Sequence, residues 1–318
     1  MLINSPKIRL NFFLAYRRNF LKYFLVAGLS CVSAISINAV ARAQNNNSSP
    51  KIVTTFLPIH LFTKAVVGDT GQVDILISPG TEVHDYQATP DDVKILAAAD
   101  VLVENGLGME VFLESLVTNA GNSQLQQIDA SEGIKVIKSE EHSEHEEEHE
   151  GVNPHVWLDP VLAQQQVANI RDRLITINPN NADSYRTNAE AYIQQLQQLD
   201  REFTQKLAPV KGCNFITFHD AFPYLAQRYG IKQEAIVEIP EDSITPKDIQ
   251  RVQQAANKYQ VKALLTEPGI EDKRIQQISS DLNLPLEAID PLESGETDPQ
   301  YYFQVMRGNL EALERACS

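Results

Sequence analysis

Hydrophobic and polar positions alternate along this chain in two different rhythms. Lys51–Phe56, Gln72–Ser78 and Asp100–Glu104 are short apolar runs, which predict buried strands. Pro58–Val67, Pro90–Ala99 and Met109–Val117 follow them with helical spacing. Asp91 and Asp92 sit in the first turn behind Pro90, where a proline and acids suit a helix start. The rhythm restarts at Asn214–Phe218, with further strands at Glu234–Glu238, Lys262–Thr266 and Leu286–Ile289. Helices are predicted over Ala221–Tyr229, Pro246–Tyr259, Glu271–Leu282 and Pro299–Arg315. Alternating strands and helices predict an α/β fold with parallel sheets, in two similar lobes.

Between the lobes, Tyr185, Ala189, Tyr192, Leu196, Leu199, Phe203 and Leu207 recur every three or four residues. That period predicts one long amphipathic helix, bracketed by Pro179 and Pro209. At 1.5 Å per residue it would run about 40 Å, enough to join both lobes stiffly. The expected organisation is therefore an N-terminal lobe over 44–180, a linking helix over 181–209 and a C-terminal lobe over 210–318. One stretch fits neither rhythm. Residues 140–150 (EEHSEHEEEHE) hold seven Glu, three His and one Ser, so the loop 139–151 has no apolar face to bury.

Residues 1–43 have a third pattern. A basic region precedes an apolar run from Tyr23 to Val40, then Ala41-Arg42-Ala43. This order predicts a secretory signal peptide cleaved before Gln44; a permanent membrane helix is the alternative, weakened by Ser30, Ser33, Ser36 and Asn38 within the run. Arg17-Arg18 resembles a twin-arginine signal, so both the general secretory and the twin-arginine routes stay open. Gly28-Leu29-Ser30-Cys31 is a poor lipoprotein box, and a lipid anchor at Cys31 is the lesser expectation. Such a leader predicts export to an oxidising compartment outside the cytoplasm. There, Cys213 and Cys317 are free to pair or to stand as separate thiols.

Charge narrows the function. The 318-residue chain carries a formal −15, and without residues 1–43 its 21 basic residues face 42 acidic ones, a charge of −21. Such a surface disfavours nucleic acid and favours a cation. His84 follows the strand Gln72–Ser78, His219 follows Asn214–Phe218 and Asp290 follows Leu286–Ile289. Ligands of open α/β sheets gather beyond the carboxyl ends of strands. His155 lies in NPHVWLDP, between Pro154 and Pro160. Three imidazoles and one carboxylate suit a four-coordinate Zn2+ ion, although each residue singly is also an ordinary structural one. His60 starts or sits within the first helix, either as a supporting residue near the metal or as a plain helix residue. His142, His145 and His149 are read either as a secondary metal site or as part of a solvated acidic linker.

Taken in order, GTEVHDYQATPDDV, VENGLGMEVF, NPHVWLDP, FITFHDAFPYLAQRYG, LTEPGIEDKRI and AIDPLES resemble the metal-binding solute receptors of ABC importers for zinc and manganese. The resemblance covers about residues 50–316. It implies two lobes joined by a rigid helix, with a metal site in the cleft at His84, His155, His219 and Asp290. It further implies a monomer that serves a membrane permease with a cytoplasmic ATPase, and no enzyme activity. Manganese members of the family it resembles usually carry Glu where His219 stands, and a nitrogen ligand there favours zinc. A manganese or iron receptor of the same type is the nearest alternative. A zinc-dependent hydrolase, using Asp220 or Glu82 as general base, is the rival from another class. An adhesin or storage protein using the His-rich loop is a third.

Overall fold

The computed structural model describes residues 49–138, 151–237, 244–268 and 273–318, apart from the side chain of Arg274. The expected signal peptide, Cys31, His142, His145 and His149 lie outside the described residues.

The first sheet holds β1 (Ile52–Thr54), β2 (Val73–Ile75), β3 (Val101–Glu104) and β4 (Gln126–Asp129), all parallel in the order β2-β1-β3-β4. Its helices are α1 (Leu57–Val67), α2 (Pro90–Ala97), α3 (Leu113–Ala120) and α4 (Pro160–Ile177). The second sheet repeats the topology as β6-β5-β7-β8, from β5 (Asn214–His219), β6 (Lys232–Val237), β7 (Leu264–Thr266) and β8 (Leu286–Ala288). Its helices are α6 (Pro223–Tyr229), α7 (Pro246–Tyr259), α8 (Lys273–Leu282) and α9 (Tyr301–Cys317).

Local chemistry places the helix starts. Thr89 and Thr245 each cap a helix whose first residue is proline, and Asp92 and Asp248 close reciprocal capping boxes. Two sequence expectations shift. The helix expected at Met109–Val117 begins at Leu113, because the Glu110 carboxylate accepts the backbone N–H groups of Asn105 and Gly106 and ties the chain into a turn. The edge strand β4 was not foreseen, because only Ile128 of its four residues is buried.

The long helix α5 (Ala182–Leu207) buries the expected stripe from Tyr185 to Leu207 and spans about 39 Å. It is not the sole connection. One apolar core runs from Ile52 in β1 through Phe62, Trp157 and Phe203 to Tyr302 and Ala316. At its centre the Phe62 ring meets Tyr302 edge-on at 5.1 Å, and Tyr192 packs on Phe303 at 4.9 Å. Lys64 Nζ donates to Thr297 O, and Tyr192 Oη donates to Pro299 O. The end of the chain therefore packs back onto α1 and α5. Arg307–Glu202 and Lys206–Glu314 ion pairs line the α5–α9 contact; being half exposed, they add little.

Cys213, just before β5, is disulfide-bonded to Cys317 at the end of α9, closing a loop over a sequence separation of 104 residues. A loop of that length restricts the unfolded chain strongly. Replacing both cysteines by serine is expected to cost about 2–5 kcal/mol of unfolding free energy. Denaturant titration with and without reductant checks this; wild type and variant should coincide only in reductant.

Candidate metal centre

Four loops converge where the carboxyl ends of the two sheets face each other. His84 follows the turn after β2, and Glu82 Oε1 accepts the N–H groups of Val83 and His84 to shape that loop. His155 opens the short 3-10 turn Val156–Leu158 that leads into α4. His219 is the last residue of β5. Glu293 lies in the loop after β8, and its carbonyl accepts Gly80 N–H at 3.0 Å, which ties the His84 loop to the opposite lobe.

Each of His84, His155, His219 and Glu293 offers a ligand atom within 4.8 Å of the others. His155 and His219 are 2% and 0% exposed, so their ring nitrogens have almost no access to water. Their hydrogen-bond partners assign the tautomers. His155 Nδ1 lies 3.0 Å from Asn153 Oδ1, an acceptor, so Nδ1 carries the proton and Nε2 presents a lone pair. Asn153 is held in turn through its Nδ2, which donates to Asp220 O and Oδ2. His219 Nδ1 lies 2.5 Å from Glu267 Oε1, which likewise turns Nε2 inward. The two Nε2 atoms stand 3.3 Å apart. A tetrahedral zinc with bonds of about 2.0–2.1 Å sets its ligand atoms about 3.4 Å apart, so this pair already has the spacing. His84 Nε2 and Glu293 Oε1 are 3.9 Å apart and need only close slightly. His84 Nε2 is buried with no hydrogen-bond partner among the described residues, an arrangement that calls for a cation.

Protonation follows the surroundings. Burial, then the nearby His219, push His84 down to about 4. Burial and the two neighbouring imidazoles hold His155 well below the usual range. Burial also acts to lower His219, but the charge and hydrogen bond of Glu267, with Glu293 and Glu82 beyond, outweigh it and raise the net value.

Asp290 is not in the cluster, contrary to the sequence expectation. Its Oδ1 accepts Leu292 N–H at 2.7 Å, and Asn309 of α9 brackets its backbone with two further hydrogen bonds. The turn so formed holds Leu292 at φ 69 and presents Glu293 to the histidines instead. His60 is also outside it; its Nδ1 pairs with Thr54 Oγ1, and burial and Lys64 lower it to about 4. Sequence reasoning missed Glu293, Glu267 and Asn153. Glu267 directly follows β7, the strand-end position that singled out His219, and Asn153 stands inside NPHVWLDP. A cavity of about 270 Å³ leads to the cluster, lined in part by His84, His155, Met109, Val111, Val152 and Asp220.

The family model for ZnuA, "Zinc-uptake complex component A periplasmic", matches residues 52–316. The chain belongs to the ZnuA family. The ZnuA high-affinity zinc uptake system protein of Bacillus subtilis (strain 168) is 33% identical over 309 residues, covering 92% of this chain and 95% of that protein. The zinc-binding protein AdcA of Streptococcus pyogenes is 32% identical over 284 residues, and the match spans only 55% of its length. Among solved structures, a Zn(II)-bound AdcAII variant of Streptococcus pneumoniae has a TM-score of 0.77 at 29% identity, covering 85% of this chain and 99% of that one. The laminin-binding adhesin Lmb of Streptococcus agalactiae has a TM-score of 0.77 at 30% identity, covering 85% and 100%. As in other ZnuA-family members, zinc is the ion that the chain is built to bind, and the three-imidazole cluster matches that chemistry.

Zinc requires neutral imidazoles. Because His219 keeps its proton above the ordinary 6.5, competition should begin above that pH, with His84 joining only near 4. Affinity should fall about tenfold per pH unit below the His219 value, one proton displaced per ion. Glu267→Gln should move the onset to lower pH and weaken binding about 10–100-fold. Zinc competition titrations from pH 8 to 5 check both; a flat wild-type profile contradicts the first.

Proposed function

We propose that this protein captures zinc outside the cytoplasm at His84, His155, His219 and Glu293 and hands it to the membrane permease of an ABC importer with its cytoplasmic ATPase. The observation that carries this reading is the convergence of three imidazoles, two of them buried, and one carboxylate within 4.8 Å of one another, from both lobes. The shell is closed by protein ligands, which suits holding an ion rather than activating water. Both groups that a hydrolase could use as base are committed elsewhere: Glu82 to two backbone N–H groups and Asp220 to Asn153. A receptor without enzyme activity therefore fits the site better than a hydrolase. The Cys213–Cys317 disulfide suits an oxidising compartment such as the periplasm, reached after loss of a signal peptide.

The lobes are also tied beside the metal. Arg228 of α6 forms an ion pair with the buried Asp159 carboxylate at 2.8 Å, and Tyr224 Oη donates to Asn153 O. Trp157 Nε1 donates to Pro291 O. Release in this reading comes from a local distortion imposed by the permease, not from wide opening. His142, His145 and His149 supply weaker zinc sites that gather the ion near the cleft.

The test is metal competition on purified residues 44–318, read as stoichiometry and affinity. Wild type should bind one zinc tightly and manganese much less well. His219→Glu should shift preference toward manganese. Glu293→Gln should weaken zinc about tenfold or more, whereas Asp290→Asn should change it little. Deleting 140–150 should remove only weak sites. Tighter manganese than zinc binding in wild type reverses the assignment.

A further inference from the structure

The loop between β3 and α3 holds buried polar groups that none of the metal chemistry above uses. Asn105 is 0% exposed, yet every polar atom of its side chain is engaged. Its Nδ2 donates to Pro154 O at 3.1 Å and to Gly106 O at 3.0 Å. Its Oδ1 accepts from Gln166 Nε2, on α4, at 2.8 Å. Pro154 immediately precedes His155. One amide thus joins the β3 loop, α4 and the chain that carries a metal-facing imidazole.

Asn105 itself is held from behind. Glu110, 7% exposed, accepts Asn105 N–H at 2.8 Å, Gly106 N–H at 3.2 Å and Thr55 Oγ1–H at 2.7 Å. The carboxylate bends the chain so that Gly106, Leu107 and Gly108 all take positive φ, at 79, 58 and 78. At Gly106 a Cβ would lie 2.4 Å from the Asp129 carboxylate, which would have to shift, and the positive φ itself favours glycine. Leu107 has no such freedom, and a non-glycine residue there costs on the order of 1–2 kcal/mol. A strained turn persists only where its surroundings over-determine it. Here the surroundings are Glu110, Thr55 and Gln166, and the outcome is a fixed Asn105.

We propose that Asn105, clamped by Glu110, is a positioning residue for metal binding: through Pro154 O it fixes the backbone that aims His155 Nε2 at His219 Nε2. Asn153 orients the His155 ring; Asn105 sets where the ring is mounted. The separation matters because the two Nε2 atoms already stand at the tetrahedral spacing, and a shift of a few tenths of an ångström at Pro154 moves one of them off it. The inference rests on reading the cluster as the zinc site.

The experiment compares wild type, Asn105→Ala, Asn105→Asp and Leu174→Ala in residues 44–318. Leu174 is a buried residue of α4 outside the cluster, and its truncation serves as a stability control. Asn105→Asp keeps the volume and an oxygen for Gln166 but cannot donate to Pro154 O, and it covers the case in which alanine does not fold. Zinc affinity, the visible spectrum of the Co(II)-loaded protein and melting temperature are measured on each. Both Asn105 variants should bind zinc about tenfold or more weakly and show an altered Co(II) band, while Leu174→Ala lowers the melting temperature and leaves affinity and band at wild type. Unchanged affinity and spectrum in the Asn105 variants, or losses that merely match Leu174→Ala, overturn the positioning role. Failure of wild type to bind zinc sinks the zinc reading itself and is told apart by that one titration.

Discussion

Ligand atoms from two separate sheets can stand within 4.8 Å of one another only if the sheets themselves are held at a fixed separation. The shared apolar seam does this. Phe62, Tyr192, Tyr302 and Phe303 interlock across the two halves, and Trp157 packs edge-on to Phe56 while its indole N–H reaches Pro291 O. Each aromatic pair adds modestly beyond its buried area, but packing at interior density resists small displacements in every direction. The fold thus brings the four candidate ligands within reach of one ion, and apolar burial elsewhere offsets the cost of bringing imidazoles together.

Polar groups then act only within that frame. Glu267 and Asn153 set two tautomers, and Glu82 shapes the His84 loop. The same burial that keeps His84 and His155 neutral makes their lone pairs costly to leave without a cation. His219 differs because a carboxylate touches it, so one member of the trio resists losing its proton while the other two resist gaining one.

Much of this was legible in the sequence. Short apolar runs and a 3.6-residue period were enough for both α/β lobes and the stripe of α5, because strands such as β1 are buried throughout and α5 buries one face. Strand-end positions singled out His84 and His219, and the proline-framed His155 completed the imidazoles. For the carboxylate the sequence pointed to Asp290, and the structure brings Glu293 to the histidines instead, because AIDPLES offers two acids and the choice depends on a turn. Asp290 closes that turn on Leu292 N–H, and only then does Glu293 face the cluster. Helix α3 begins late for a related reason: Glu110 uses its side chain on backbone N–H groups of the preceding loop, a local side-chain-to-backbone arrangement with no periodic signature. The pairing of Cys213 with Cys317 depends on α9 returning to the start of β5, which spacing alone does not reveal.

Lys138 and Val152 form an isolated antiparallel bridge, and Asn153 N–H reaches Ile137 O directly beside it. The two ends of the intervening segment are thus stitched together at the edge of the cavity. Whatever is spliced between them starts and finishes at the same spot, so its length has little leverage on the fold: each doubling of such a loop costs only about 0.6 kcal/mol. The position is a natural insertion point, where evolution or an engineer can lengthen, recharge or delete sequence while the imidazoles a few residues away keep their places.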